Sequence, residues 1–121
     1  LTGADNKIGV YNMGRKTMSM AIGKLIDDQL NELSEQYGMN KSSLVNRILQ
    51  RSLAGDNAIK NLMAVTPINK DKTIKRSYRI EDDVVSFMEK YPDILMGTII
   101  EKAVSQFMEL SDEKKRDFLF S

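Results

Sequence analysis

Two segments of this chain, residues 16–22 (KTMSMAI) and 74–80 (IKRSYRI), alternate in the way a half-buried strand does, and neither has a second strand beside it in sequence. In the first, Met18, Met20 and Ile22 point one way while Thr17, Ser19 and Ala21 point the other. In the second, Ile74, Tyr78 and Ile80 share a face opposite Lys75, Ser77 and Arg79. A lone strand must find a partner for its backbone N–H and C=O groups. That need restricts the fold more than any other feature.

After each alternating run the period changes to that of a helix. Ile26, Leu30, Leu33 and Tyr37 form one stripe, Asp27, Asp28, Glu32 and Glu35 take the remaining faces, and Gly38 is the expected stop. Asn40 is placed to cap a second helix through Leu44, Val45, Ile48, Leu49 and Leu53, closing near Gly55. In the second copy, Asp82 or Asp83 caps a helix carrying Val84, Val85, Met88 and Tyr91, which Pro92 ends. Another helix starts near Gly97 and carries Ile99, Ile100, Ala103, Val104, Phe107 and Met108. Setting Ile22 on Ile80 aligns Ser19 with Ser77, Ile26 with Val84 and Leu30 with Met88, an internal repeat of pattern rather than of identity.

The expected organisation is one domain over 1–121: a first unit at 15–55, a linker at 56–72 with one short helical turn, a second unit at 73–110, and a C-terminal helix at 111–121 capped by Ser111. Each unit is too small to bury an adequate core alone. The expected fold is therefore mainly α with a two-stranded antiparallel ribbon, in which the two units pair as a dimer built into one chain. Pairing of each half with a second chain is the alternative.

Composition narrows the chemistry. Cysteine and histidine are absent, which removes disulfides, thiolate metal sites, the commonest general base and the commonest transition-metal ligand. No enzyme activity, cofactor or metal is expected. No apolar run approaches the ~20 residues that span a bilayer, and the start lacks the pattern of a signal peptide, so a cytoplasmic protein without a membrane partner is expected. Position 1 is Leu, so an upstream region is expected as well. The net charge is only +1, but its distribution is uneven. Residues 14–24 hold Arg15, Lys16 and Lys24 and no acid; residues 69–80 hold Lys70, Lys72, Lys75, Arg76 and Arg79 against Asp71. Acidic residues follow each basic segment, and these acidic clusters are expected to be solvated helix surface.

An antiparallel ribbon fits the major groove of B-form DNA. Its outward side chains here would be Thr17, Ser19, Ala21, Lys75, Ser77 and Arg79: cations for guanine, hydroxyls for either partner, and a methyl to meet thymine. A solvated sheet face shows the same alternation. Because the repeat relates Thr17 to Lys75 and Ala21 to Arg79, one end of the ribbon is expected to carry two long cations and the other two short neutral side chains. Candidate phosphate contacts are Arg15, Lys16 and Arg76, the helix start at Lys41, Ser42 and Ser43, and Gly97 and Thr98 in the second copy; ordinary capping also explains those helix starts. Arg47 and Arg51 either touch phosphate or solvate a helix face. Met18 and Met20 are core filler. Phe118, Leu119 and Phe120 form either a packed final turn or a patch for a partner.

The alternating TMSMAI, the helical LIDDQLNELSEQYG, and MNKSSLVNRILQRSL with its turn at Gly38-Met39-Asn40 together resemble the ribbon-helix-helix (MetJ/Arc) family. The resemblance implies that Thr17, Ser19 and Ala21 face bases and that the helix start around Ser42 meets phosphate. The second copy departs from the pattern: its turn reads YPDILMGT over residues 91–98, its path between helices is about three residues shorter, and Arg76 stands where the family usually has an apolar residue. The single-chain tandem arrangement is similar to that of accessory proteins of plasmid conjugation and T-DNA transfer. That implies a double-stranded DNA partner, with a relaxase or partition-type ATPase beside it, and a monomeric pseudo-dimer that associates on DNA. A repressor of its own operon and an antitoxin-type interaction module are the alternatives; the short tail after Leu110 argues against the last.

Overall fold

A computed structural model describes residues 14–67 and 72–120. Lys70 and Asp71 of the second basic run, and everything before Gly14, lie outside the described residues. Strands β1 (Arg15–Gly23) and β2 (Thr73–Glu81) pair antiparallel as a two-stranded sheet. Ser19 stands opposite Ser77 at the middle, Thr17 opposite Arg79, and Ala21 opposite Lys75. The Lys24 N–H donates to the Lys72 carbonyl at 2.8 Å and the Asp82 N–H to the Gly14 carbonyl at 2.9 Å, prolonging the ladder past both ends.

This register overturns the expectation of a cationic end and a neutral end. Antiparallel pairing sets each long cation of β2 beside a short side chain of β1, so both ends hold one of each. The difference lies between the strands.

Six helices accompany the sheet among the described residues: α1 (Lys24–Tyr37), α2 (Lys41–Ser52), α3 (Ala58–Met63), α4 (Asp82–Met88), α5 (Met96–Met108) and α6 (Asp112–Phe120). Their ends follow local chemistry. Gly38 adopts φ 65°, a left-handed conformation that glycine takes without a Cβ clash, and returns its N–H to the Ser34 carbonyl. The Asn40 side chain accepts from the Ser43 N–H at 2.8 Å, and the Ser111 hydroxyl from the Lys114 N–H at 3.3 Å. Two expectations shift. Glu81 is the N-cap of α4, with Asp82 and Asp83 in its first turn, where carboxylates suit the helix dipole. Helix α4 also ends at Met88, before Pro92, so Tyr91 lies beyond it and packs its ring 5.7 Å from that of Phe87.

The core forms beneath the sheet. Ile22 and Ile80 enter it from the strands, Ile26 and Leu30 from α1, Leu44, Ile48 and Leu49 from α2, and Ile99, Ile100 and Phe107 from α5, each at most 1% exposed. Met18 and Met20 pack against it from the sheet's underside, as core filler should. Helix α3 adds Leu62, and the Lys102 ammonium donates to the Met63 and Val65 carbonyls at its C-terminal end. Helix α6 adds Leu119, while Phe118 meets Phe107 edge-on at 5.4 Å and Phe120 stays exposed. The tail is thus a packed final turn, in which the Phe120 ring lies 6.0 Å from that of Tyr37.

A two-stranded sheet leaves two outer edges, and each is held by a helix that follows the other strand. From α2, the Asn46 amide donates to the Arg79 carbonyl at 2.7 Å and accepts from the Glu81 N–H at 2.9 Å, and the Ser42 hydroxyl accepts from the Arg79 N–H at 3.1 Å. From α5, the Glu101 carboxylate accepts from the Gly23 N–H at 2.6 Å. Gly97 lies so close to the Ala21 carbonyl oxygen that an added Cβ would overlap it. Asn46 is 1% exposed, so its bonds form without competing water.

Asn46→Ala is expected to cost about 2–4 kcal/mol, because it strands an N–H and a C=O of β2 against a dry helix. Gly97→Ala should cost about 1–3 kcal/mol by pushing α5 off β1. Urea titration checks both; an unchanged midpoint in either variant contradicts the edge contacts. Since the strands pair within one chain, the midpoint for the parent should also not depend on protein concentration.

Candidate nucleic-acid interface

The outward residues of the sheet form one continuous exposed face. Thr17, Ser19 and Ala21 of β1 and Lys75, Ser77 and Arg79 of β2 are all exposed, as the alternation requires. The Ser19 and Ser77 hydroxyls hydrogen-bond each other at 2.9 Å across the centre. Among the described residues no carboxylate pairs with Lys16, Lys75 or Arg79, so these three cations remain available to an outside anion. The face is polar and carries the cations Lys75 and Arg79 with short side chains between them, while Lys16 stands on the opposite row of β1.

The candidate phosphate contacts divide. Lys16 is exposed, and Thr98 is half-buried in the first turn of α5. Arg15 reaches the Ser43 hydroxyl at 3.5 Å and the Glu81 carboxylate at 3.4 Å, bracing β1 against α2 and β2. Ser42 holds the edge of β2, and Gly97 is buried against β1, so the helix starts are first of all sheet attachments. Arg47 donates to the Leu119 carbonyl at the end of α6, on a helix face covered by the tail, whereas Arg51 stays exposed.

Lys41 and Arg76 are drawn to a residue whose place the sequence hid. Asp27, expected on a solvated face, is 2% exposed. Its Oδ1 accepts from the Lys41 ammonium at 2.6 Å and the Tyr78 hydroxyl at 2.9 Å, and its Oδ2 from Arg76 Nε at 3.2 Å. An inward-facing Arg76 on an otherwise apolar strand face was the available signal, since such a cation calls for an anion near the core. Asp27 also adjoins the apolar stripe of α1, beside Ile26 and three residues before Leu30. Burial pulls the Asp27 carboxyl upward, but the bonds from Lys41, Tyr78 and Arg76 and the charge of Lys41 outweigh it and hold it below the ordinary carboxylate value. Burial, then the Asp27 carboxylate, push the Tyr78 hydroxyl well above its ordinary value.

No group of three or more histidine, cysteine or acidic residues placed to hold a metal occurs among the described residues, and no helix there is long and apolar enough to cross a membrane. Comparison with models of protein families, with curated proteins and with solved structures found no match to this chain.

The depressed Asp27 carboxyl has a defined pH signature. Its folded value lies below its unfolded one, so its stabilisation is fully present above about pH 4 and is lost as pH falls through the folded value. Asp27→Asn should lower stability at pH 7 by about 2–3 kcal/mol, at the low end for a broken buried pair because Lys41 and Arg76 can turn to solvent. It should also flatten the stability-versus-pH curve below pH 4. A variant as acid-sensitive as the parent would place the responsible carboxylate elsewhere.

Proposed function

We propose that this chain is a double-stranded DNA-binding protein that lays its two-stranded sheet in the major groove, as two ribbon-helix-helix units folded together in one chain. The observation that carries the reading is the exposed face of the ribbon, with six outward side chains of base-reading types and its two long cations, Lys75 and Arg79, unpaired among the described residues. The reciprocal edge contacts support the tandem description. Ser42 and Asn46 of α2 serve β2 as Gly97 and Glu101 of α5 serve β1, and both pairs are spaced by four residues, one helical turn. A pseudo-two-fold axis between Ser19 and Ser77 relates these contacts.

In this reading Lys75 and Arg79 donate to base edges, the serine pair sits over the centre of the site, and Lys16 adds phosphate attraction. Arg15, Lys41 and Arg76 act indirectly, through the carboxylates that hold them. The service proposed for such binding is that of an accessory factor in plasmid or T-DNA processing, alongside a relaxase or a partition-type ATPase.

An electrophoretic shift with duplex DNA from the gene's own plasmid or operon tests the reading directly. Lys16→Ala should weaken every duplex alike and reduce the salt slope by about one unit or less. Arg79→Ala should remove about 1–3 kcal/mol of discrimination at one base position. Equal loss for specific and random duplexes would take base reading away from Arg79; no duplex binding at 50 mM salt would end the proposal.

A further inference from the structure

The register carries the DNA reading further, to the kind of sequence the ribbon prefers. Two identical strands related by a two-fold axis would offer each side chain twice, once to each DNA strand, and so favour a palindrome. Here the axis relates Thr17 to Lys75 and Ala21 to Arg79, and only the central pair, Ser19 with Ser77, is alike. Both long donors without a carboxylate partner among the described residues therefore belong to β2. On its outward row β1 contributes a methyl, two short hydroxyl side chains and, at the end, Arg15, which Glu81 holds at 3.4 Å.

Lys75 and Arg79 lie four residues apart on one strand, about 13 Å along an extended backbone. That length matches roughly three to four base-pair steps. A ribbon lying along the major groove brings each of its strands nearer to one wall of the groove, hence to the purines of one DNA strand. Lysine and arginine donate best to guanine O6 and N7. Resting on the DNA-binding reading above, we infer that the preferred site is asymmetric, with two guanines on the same DNA strand some three to four base pairs apart, one facing Arg79 and the other Lys75. The protein then docks in a single orientation, with β2 toward the guanine-bearing strand. The flanks reinforce that polarity: the helix start beside Arg79 carries Ser42 and Ser43, whereas the one beside Ala21 follows the exposed Leu95 and the acidic Asp93.

The test is selection of the full chain against a pool of duplexes randomised over a dozen central positions, followed by single-base-pair substitution across the winning site at one protein per duplex. The expected profile has two guanine-dependent positions on one strand and no mirror about its centre. Lys75→Ala should abolish the preference at one of them and Arg79→Ala at the other, each a roughly 5- to 150-fold loss of discrimination. The double variant Thr17→Lys/Ala21→Arg, at two exposed positions, makes the ribbon face symmetric and should shift selection toward a palindrome. A palindromic parent site, guanines on opposite strands, or binding without base preference overturns the inference while leaving DNA binding intact. Failure to retain any duplex from the pool overturns both.

Discussion

Everything in this molecule depends on two strands, 58 residues apart at their centre, satisfying each other's backbone. A strand that must pair cannot end at its own hydrogen bonds, because the pair still leaves two outer edges to be satisfied or solvated. The chain meets that demand by exchange: the helix pair after β1 secures β2, and the helix pair after β2 secures β1. Neither half is complete without the other. The core then lies where the exchanged helices meet beneath the sheet, and one face of the sheet is left to solvent.

The Asp27 cluster belongs to the same logic. It joins α1 and the start of α2, through Asp27 and Lys41, to β2, through Arg76 and Tyr78. A buried carboxylate with three donors is an expensive way to fill space, since apolar side chains of like volume often do as well. What it adds is position: the bonds form only when β2 sits in one register over α1. A slip of one residue would turn Tyr78 to solvent and bring Ser77 or Arg79 inward. The cluster thus fixes which residues of β2 face outward.

Much of this was legible in the sequence because it rests on local rules. Alternation placed both strands, helical spacing placed the helices, and Gly38, Asn40 and Ser111 marked their ends. What was not legible depends on partners far away in sequence. Asp27 reads as surface until Tyr78, 51 residues on, covers it. Arg47 reads as an exposed cation until α6 folds over its helix face. The ends of the ribbon were misassigned for a different reason: positions equivalent by repeat are not neighbours in an antiparallel pair, where Thr17 matches Lys75 but touches Arg79.

The wide separation of β1 and β2 also sets the order in which the chain can assemble. Contacts between α1 and α2 join residues close in sequence and need little chain closure. The sheet contacts instead close a loop of nearly half the molecule, an entropy loss incurred before any of their hydrogen bonds form. Proteins dominated by such distant contacts fold slowly. The α1–α2 hairpin is therefore the natural early structure and the ribbon the late one. The exposed face of the sheet is then the last part of the molecule to take shape, and until it does, β1 and β2 are open edges able to pair with a strand from another molecule.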